Sequence, residues 1–310
     1  LPGVLGANLP KENSADLKTT GFDLTVSWRD QIKLAGKPLE YSLEFNLSDS
    51  KSEITKFSNP TGTLNSYYKG QKIGEIWGLT SDGLYKSDEE AQKGPDQTEI
   101  LIAPSQYPTV AGSLKYKDLN NDGKITRGKY TLDDHGDLTV IGNDQIRYRF
   151  GATFAANWSG FDISAFFQGV MKHNYYPTAS DKIFWGKYSA PWFDQLEGHY
   201  FDRWKEDNPN LDAYWPVLSH RNASTADHEM NIPQTRYLQN AAYIRLKNLT
   251  LGYTLPGKWV SKLSIQRMRI FYSGDNLFCL SGLYSDYSVD PENLGANRYP
   301  FQRYNSFGIN

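Results

Sequence analysis

Side-chain oxygens at alternate positions followed by a glycine make Asp118-x-Asn120-x-Asp122-Gly123-Lys124-Ile125 the segment of this 310-residue chain best suited to chemistry. Ligands at positions one, three and five, glycine at six for the sharp turn and an apolar residue at eight reproduce the first half of a calcium loop. The carbonyl of Lys124 would supply the seventh-position ligand. Position twelve of such a loop is a bidentate acid, but here it is Lys129, so a later acid must close the site, and Asp133, Asp134 and Asp137 are the candidates. The same residues also suit a metal-free turn in which Asx side chains bond their own backbone. The expectation is a structural Ca2+ that pins a long loop.

A second concentration is aromatic. Between Met171 and Asn240 stand Tyr175, Tyr176, Phe184, Trp185, Tyr188, Trp192, Phe193, Tyr200, Phe201, Trp204, Tyr214 and Trp215. Flat rings with a polar rim suit the C–H faces of sugars, so Trp185, Trp192, Trp204 and Trp215 are candidates for substrate or partner contact. A loop of this length also needs a small core of its own, which consumes the same residue types. Catalysis finds little support. His135, His173, His199, His220 and His228 lie in loops without a His-Glu-x-x-His pattern, and neither a Gly-x-Ser-x-Gly elbow nor a phosphate-cradling glycine loop occurs.

Both features must hang from a scaffold, and the sequence writes that scaffold with a period of two. Phe22, Leu24, Val26 and Trp28 share one face against Asp23, Thr25 and Ser27. Tyr41, Leu43, Phe45 and Leu47 oppose Ser42, Glu44, Asn46 and Ser48, and Tyr148 to Trp158 repeats the alternation. Such stretches are pleated strands with unlike sides. Starts at Gly21, Tyr41, Ile146, Phe161, Ala241, Arg267 and Phe301 predict seven strands. The connections alternate between short, as at Asn157-Trp158-Ser159-Gly160 and Pro256 to Gln266, and long, over 50–145 and 171–240. Outer-membrane barrels have that asymmetry, with tight periplasmic turns and long extracellular loops. The expected fold is all-β: an antiparallel transmembrane barrel wall of about seven strands, too few to close a transporter barrel alone. Trp28, Trp158, Tyr253, Phe271 and Tyr272 stand where an aromatic girdle would lie.

Composition is compatible with this reading. The negative mean hydropathy would ordinarily indicate a soluble chain, but only every second residue of a barrel strand faces lipid. Cys279 is the single cysteine, which excludes an intrachain disulfide and a thiolate zinc cluster. A net charge of −2 without a basic stripe argues against nucleic acid. Leu1-Pro2-Gly3-Val4 begins no secretory leader, so either a leader has been removed or these residues are internal to a longer protein, and a strand count too low to close a barrel favours the second.

Several blocks, in order, resemble the C-terminal barrel region of the SusC/RagA family of TonB-dependent outer-membrane transporters of Bacteroidetes. These are Gly74-Glu75-Ile76-Trp77-Gly78 with Asp82-Gly83-Leu84-Tyr85, Lys115 to Ile125, Val140-Ile141-Gly142-Asn143, Gly160 to Gly169, Tyr243 to Tyr253, Asp275-Asn276-Leu277-Phe278, Asp290-Pro291-Glu292 and Phe307-Gly308-Ile309-Asn310. The resemblance runs from about Gly21 onward and makes all of 1–310 the C-terminal part of one receptor barrel. It implies a plugged barrel of about twenty-two strands, energised by TonB-ExbB-ExbD through an N-terminal part and capped by a SusD-like lipoprotein. The implied cargo is oligosaccharide or, in some members, peptide. It also favours Asp137 as the acid closing the calcium-like loop. The chain departs from the pattern in having no plug, TonB box or early strands, and in stopping just short of the usual terminal aromatic.

Ile244 and Leu246 have one parity while Leu249, Leu251, Tyr253 and Leu255 have the other, so one extra residue should bulge the strand and turn Arg245 and Lys247 toward the lumen. The competing fold is a soluble, calcium-stabilised, carbohydrate-binding β module. A sandwich would bury Phe22, Leu24, Val26, Phe45, Phe154 and Phe167 under a second sheet, whereas a barrel wall leaves them to lipid.

Overall fold

Alternating side chains fold into long paired strands here. The structure is a computed structural model and describes residues 15–310 except 102–103, 106, 179–180, 190–191, 194–195, 219–228, 288 and 296–300. His220, His228 and the N-terminal residues considered above for a leader lie outside the described residues. In chain order the strands are β1 (Ala15–Leu34), β2 (Lys37–Phe57), β3 (Glu75–Gly78), β4 (Ser81–Leu84), β5 (Leu114–Tyr116), β6 (Thr139–Asn143), β7 (Arg147–Trp158) and β8 (Phe161–Lys172). They continue as β9 (Asn174–Tyr175), β10 (Gln239–Asn240), β11 (Tyr243–Thr254), β12 (Arg269–Ser281) and β13 (Tyr304–Ile309). Short helices α1 (Asp88–Lys93), α2 (Lys182–Trp185), α3 (Glu197–Phe201) and α4 (Gly257–Val260) sit in the connections.

One seven-stranded antiparallel sheet in the order β1-β2-β7-β8-β11-β12-β13 forms the wall. Three two-stranded ribbons, β3-β6, β4-β5 and β9-β10, lie within the connections. Seven wall strands match the sequence expectation, although β2 continues to Phe57, beyond the point where its alternation fades. At one end β1-β2 and β7-β8 are joined by two-residue turns, Ala35-Gly36 (φ 49° and 75°) and Ser159-Gly160 (φ 50° and 91°). Two successive positive φ values give the turn whose twist matches that of paired strands. The long connections after β2 and β8 leave from the other end, and so does a third, residues 282–303 between β12 and β13, which the sequence pattern did not single out.

The register aligns the two faces. Leu24 opposes Leu47, which opposes Phe150, and Ala152 opposes Phe167. Phe22, Leu24 and Val26 are 47%, 45% and 52% exposed, while Phe45, Phe154 and Phe167 are half-buried. No second sheet covers them among the described residues, which removes the sandwich. The buried hydrophobic cluster instead lies largely in the connections, around Leu79, Ile100, Leu114, Tyr116, Leu138, Trp185, Trp215 and Tyr237.

The expected bulge is present. β11 shifts register between Leu246 and Asn248 against both neighbours, so Leu246 and Leu249 both occupy the apolar face and Arg245 stands beside Gln168 on the polar one. Asn276 takes a left-handed conformation (φ 52°) on the facing stretch of β12, and its amide donates to the Gln302 carbonyl at 3.1 Å. Of the expected girdle residues, Phe271 is corrected: it pairs with Gly252 and Gly308, on the polar face.

Gly252 explains part of the pattern on that face. Arg269 of β12 reaches across β11 to Asp162 of β8 (Nε–Oδ1 2.9 Å). A Cβ at residue 252 would lie 2.4 Å from both Asp162 Oδ1 and the Arg269 guanidinium. Gly252→Ala is therefore expected to push the pair apart at about 1–3 kcal/mol, the usual cost of overpacking. The measurement is the temperature at which the folded protein's band disappears on a semi-native gel. An unchanged temperature would mean that the pair adapts freely.

Candidate functional site

The Asp118 turn is held by its own side chains. Asp118 Oδ1 accepts from the Asn121 N–H at 2.6 Å and Oδ2 from that of Gly123 at 2.8 Å. Asn120 Oδ1 accepts from Asp122 N–H at 3.0 Å, and Asp122 Oδ1 from Lys124 N–H at 2.8 Å. Asn121 (φ 60°) and Gly123 (φ 81°) supply the left-handed positions. Asp137 is fully buried and fastens the turn from behind, accepting from Leu119 N–H and Thr126 N–H, each at 2.8 Å. The structure thus brings Asp137, rather than Asp133 or Asp134, to the base of the turn. Asp134 pairs instead with Lys129 at 3.6 Å. Among the described residues no group of three or more His, Cys, Asp or Glu side chains gathers as a metal site. The oxygens that could face a cation are therefore the mixed carboxylate, amide and carbonyl set of residues 118, 120, 122 and 124.

The four tryptophans divide. Trp185 and Trp215 are fully buried and Trp204 is 6% exposed, whereas Trp192 is 80% exposed. Trp185, Trp204 and Trp215 are thus corrected from candidate contacts to interior residues. A loop that leaves the scaffold must bury its own apolar surface, and large rings do so most effectively. Trp215 stacks on Tyr188 and Tyr237 at centroid distances of 5.1 Å each. Trp185 donates its indole N–H to the Thr178 carbonyl at 3.0 Å. The Trp204 ring lies against Gly112, where a Cβ would come within 2.2 Å of it. Among these four, only Trp192 is exposed.

His199 sits in this interior and is 2% exposed. One ring nitrogen, Nε2, lies 2.8 Å from the Phe184 carbonyl, while Nδ1 accepts the Leu196 N–H at 3.1 Å. Burial depresses its pKa to about 4, against a weaker opposing pull from the Phe184 carbonyl and Asp286. The unfolded loop therefore takes up a proton at a pH where the folded loop stays neutral. The resulting stability is complete above about pH 6.5 and is lost as pH falls toward 4. Acidification across that window is expected to change the tryptophan fluorescence in a step that His199→Gln abolishes. The same step in the variant would assign the transition to other groups.

The third connection couples this loop to the wall. Its Tyr287 hydroxyl bonds Asp181, a fully buried residue whose other oxygen caps α2 at Phe184 N–H (3.1 Å). Its Tyr284 stacks on Tyr214 at 4.1 Å. Farther along, Asp290 and Glu292 meet Arg245, which is 3% exposed. Arg245 Nη2 lies 2.6 Å from Asp290 Oδ1 and Nε 2.5 Å from Glu292 Oε1. Gln168 donates to Glu292 at 3.0 Å, Lys247 lies 3.6 Å from it, and Phe301 packs over both cations. The sequence marked Asp290-Pro291-Glu292 and Arg245 separately. Nothing in their spacing revealed that they meet, and Asp181 carried no signal at all.

No protein-family model matches the chain. TonB-dependent receptor P3 of Formosa agariphila is 24% identical over 308 residues, covering 94% of this chain and 27% of the relative. TonB-dependent receptor P26 of the same organism is 25% identical over 311 residues, covering 96% and 28%. The RagAB peptide importer in its open-open state has a TM-score of 0.62 at 20% identity, covering 100% of this chain and 30% of that chain. The RagAB peptide transporter has 0.61 at 20% identity, covering 100% and 31%. The chain thus spans less than a third of each. Relatives named as TonB-dependent receptors along nearly its whole length, and the barrel-wall fold it shares with RagAB, agree with the ordered motif series: the chain is similar in sequence to TonB-dependent receptors and has the fold of a RagA-type barrel wall.

Proposed function

We propose that this chain forms lumen wall and external loops of an outer-membrane importer that takes up oligosaccharides with a SusD-like surface lipoprotein. The observation that carries the reading is the seven-stranded wall, whose apolar face is left uncovered by the described residues while its polar face bears Asp162, Gln168, Arg245 and Asn248. Such a sheet is stable only where lipid replaces a second layer. The long connections leave from one end, which is the extracellular end in this reading, so Trp192 and the exposed rings of Tyr200 and Phe201 are the surface offered to the lipoprotein or cargo. Energy coupling by TonB-ExbB-ExbD belongs to the remainder of a receptor of the relatives' size. Peptide is the alternative cargo, since the RagAB structures are those of a peptide importer and loop aromatics do not separate the two.

Fractionating cells that make the full-length receptor, then purifying it in detergent, tests this reading. Outer-membrane recovery with a co-purifying lipoprotein, and uptake of labelled oligosaccharide lost on deletion, are the expected results. Recovery in the soluble fraction rejects the wall, and uptake of peptide alone replaces the cargo.

The calcium reading of the Asp118 turn is a second proposal, supported by the placement of Asp118, Asn120 and Asp122 on one exposed turn with Asp137 behind it. Titrating Ca2+ into the purified receptor should raise protection of residues 117–138 against protease, and Asp118→Ala should remove the effect. Equal protection with and without the ion leaves the turn a self-bonded Asx structure.

A further inference from the structure

On the apolar face, next to the two-residue turns, the register lays two rows of side chains across the sheet. The outer row runs from Leu39 through Trp158 and Phe161 to Tyr253. In the next row Ala156 stands between Tyr41 and Ile163. Because Ala156 is short among large neighbours, the face is not flat there. It encloses a groove of about 650 Å³ bordered by Trp158, Phe161, Tyr253, Tyr272 and Phe307, with Ala156 in its floor. Two ring pairs stiffen its sides, Phe161 with Tyr253 at 4.4 Å and Tyr272 with Phe307 at 5.2 Å. The acid that borders it, Asp162, gives its carboxylate to Arg269 on the polar face.

We infer that this groove holds an acyl chain of a phospholipid from the periplasmic leaflet, whose phosphate is taken by Lys37 and Ser159. The inference rests on the membrane-wall reading above. Lys37 stands two residues before Leu39, on the same face of β2, and its ammonium lies 2.6 Å from the Ser159 hydroxyl. Ser159 belongs to the turn that directly follows Trp158. The mouth of an apolar groove at the turn end of the wall therefore carries one cation and one hydroxyl, the complement of a phosphodiester. Lipid tails are as apolar as the groove lining, so hydrophobic transfer does not hold the chain there. Retention comes from shape, because rigid rings contact a chain that a flat wall would touch on one side only, and from the anionic contact at the mouth. The opposite leaflet is excluded as the source, because the groove adjoins the two-residue turns rather than the long connections.

The test is native mass spectrometry of the full-length receptor, extracted from outer membranes in mild detergent and stripped by repeated detergent exchange. Wild type is expected to keep one phospholipid after bulk lipid is gone. Lys37→Glu should lower the retained fraction about fivefold, the equivalent of one lysine contact with an anionic lipid, and Ala156→Trp should remove retention by filling the groove. Both are compared on protein that shows the folded, heat-modifiable band, and if Ala156→Trp does not assemble, Lys37→Glu and Lys37→Ala carry the comparison. Loss of all phospholipid from wild type, undiminished retention in the assembled variants, or retention of lipopolysaccharide or a lipoprotein acyl chain instead would overturn the inference while leaving an outer-membrane receptor in place. A receptor recovered from the soluble fraction would overturn both readings.

Discussion

Trp215→Ala is expected to open the aromatic loop while leaving the barrel wall assembled. The side chain is fully buried and packs against Phe184 at 5.2 Å, His199 at 4.3 Å and Tyr237 at 5.1 Å. Its removal leaves a cavity among rings whose positions are fixed by one another and by hydrogen bonds such as that from the Tyr188 hydroxyl to the Pro216 carbonyl (2.7 Å). Truncating a buried tryptophan costs about 3–5 kcal/mol, and here nearly all of that falls on one local unit. The folded yield of the receptor should therefore be near wild type, while hydrogen exchange across residues 182–217 rises and protease cuts there first. Trp192→Ala is the control: this residue is 80% exposed, so exchange should not change. Unaltered exchange in Trp215→Ala would mean that the loop has no cooperative core, contrary to the ring packing.

The wall was legible because lipid and lumen impose opposite demands on neighbouring side chains, and that demand leaves a period of two in the sequence. The signal fails where the demand ends. Ser50 to Phe57 carries little apolar alternation, yet β2 continues through it because backbone pairing with β1 persists to the Ala15–Phe57 pair. The bulge in β11 was legible as a change of apolar phase. Which rings would be buried was not, since tryptophan serves a loop interior and a binding surface equally well, and only the three-dimensional path separates Trp215 from Trp192. Partnerships across connections left still less trace. Asp181 and Tyr287 are 106 residues apart and Arg245 and Asp290 are 45 apart, so neither pair produces a local pattern. The Asp118 turn lies between these cases: its spacing specifies the turn, but a metal-binding loop and a self-bonded one begin with the same residues.

Leu251→Arg and Arg245→Leu are expected to fail in different ways, and the contrast tests the orientation of the wall. Leu251 lies on the apolar face opposite Ile163 and Tyr272, 42% exposed. It stands one row inside the aromatic row at Tyr253 rather than at the bilayer centre, so an arginine there should cost about 2 kcal/mol, at the lower end of the midplane range. That penalty is felt by the strand as it enters lipid, and the folded fraction should drop. Arg245 faces the other way. Leucine on the lumen side adds no charge to lipid, so the barrel should assemble, but Asp290 is left half-buried without its cation and Glu292 keeps only the Lys247 cation, at 3.6 Å. Removing one member of a buried pair costs about 3–5 kcal/mol, and the energy is available to detach residues 282–303 from the wall. Protease should then cut that connection in Arg245→Leu and spare it in wild type. Adding Asp290→Asn and Glu292→Gln to Arg245→Leu should recover part of the protection, because the uncompensated charge, rather than the lost attraction, is the larger share of the penalty. Equal folded fractions for the two single variants would place Leu251 and Arg245 in equivalent surroundings and so overturn the assignment of one face to lipid and the other to the lumen.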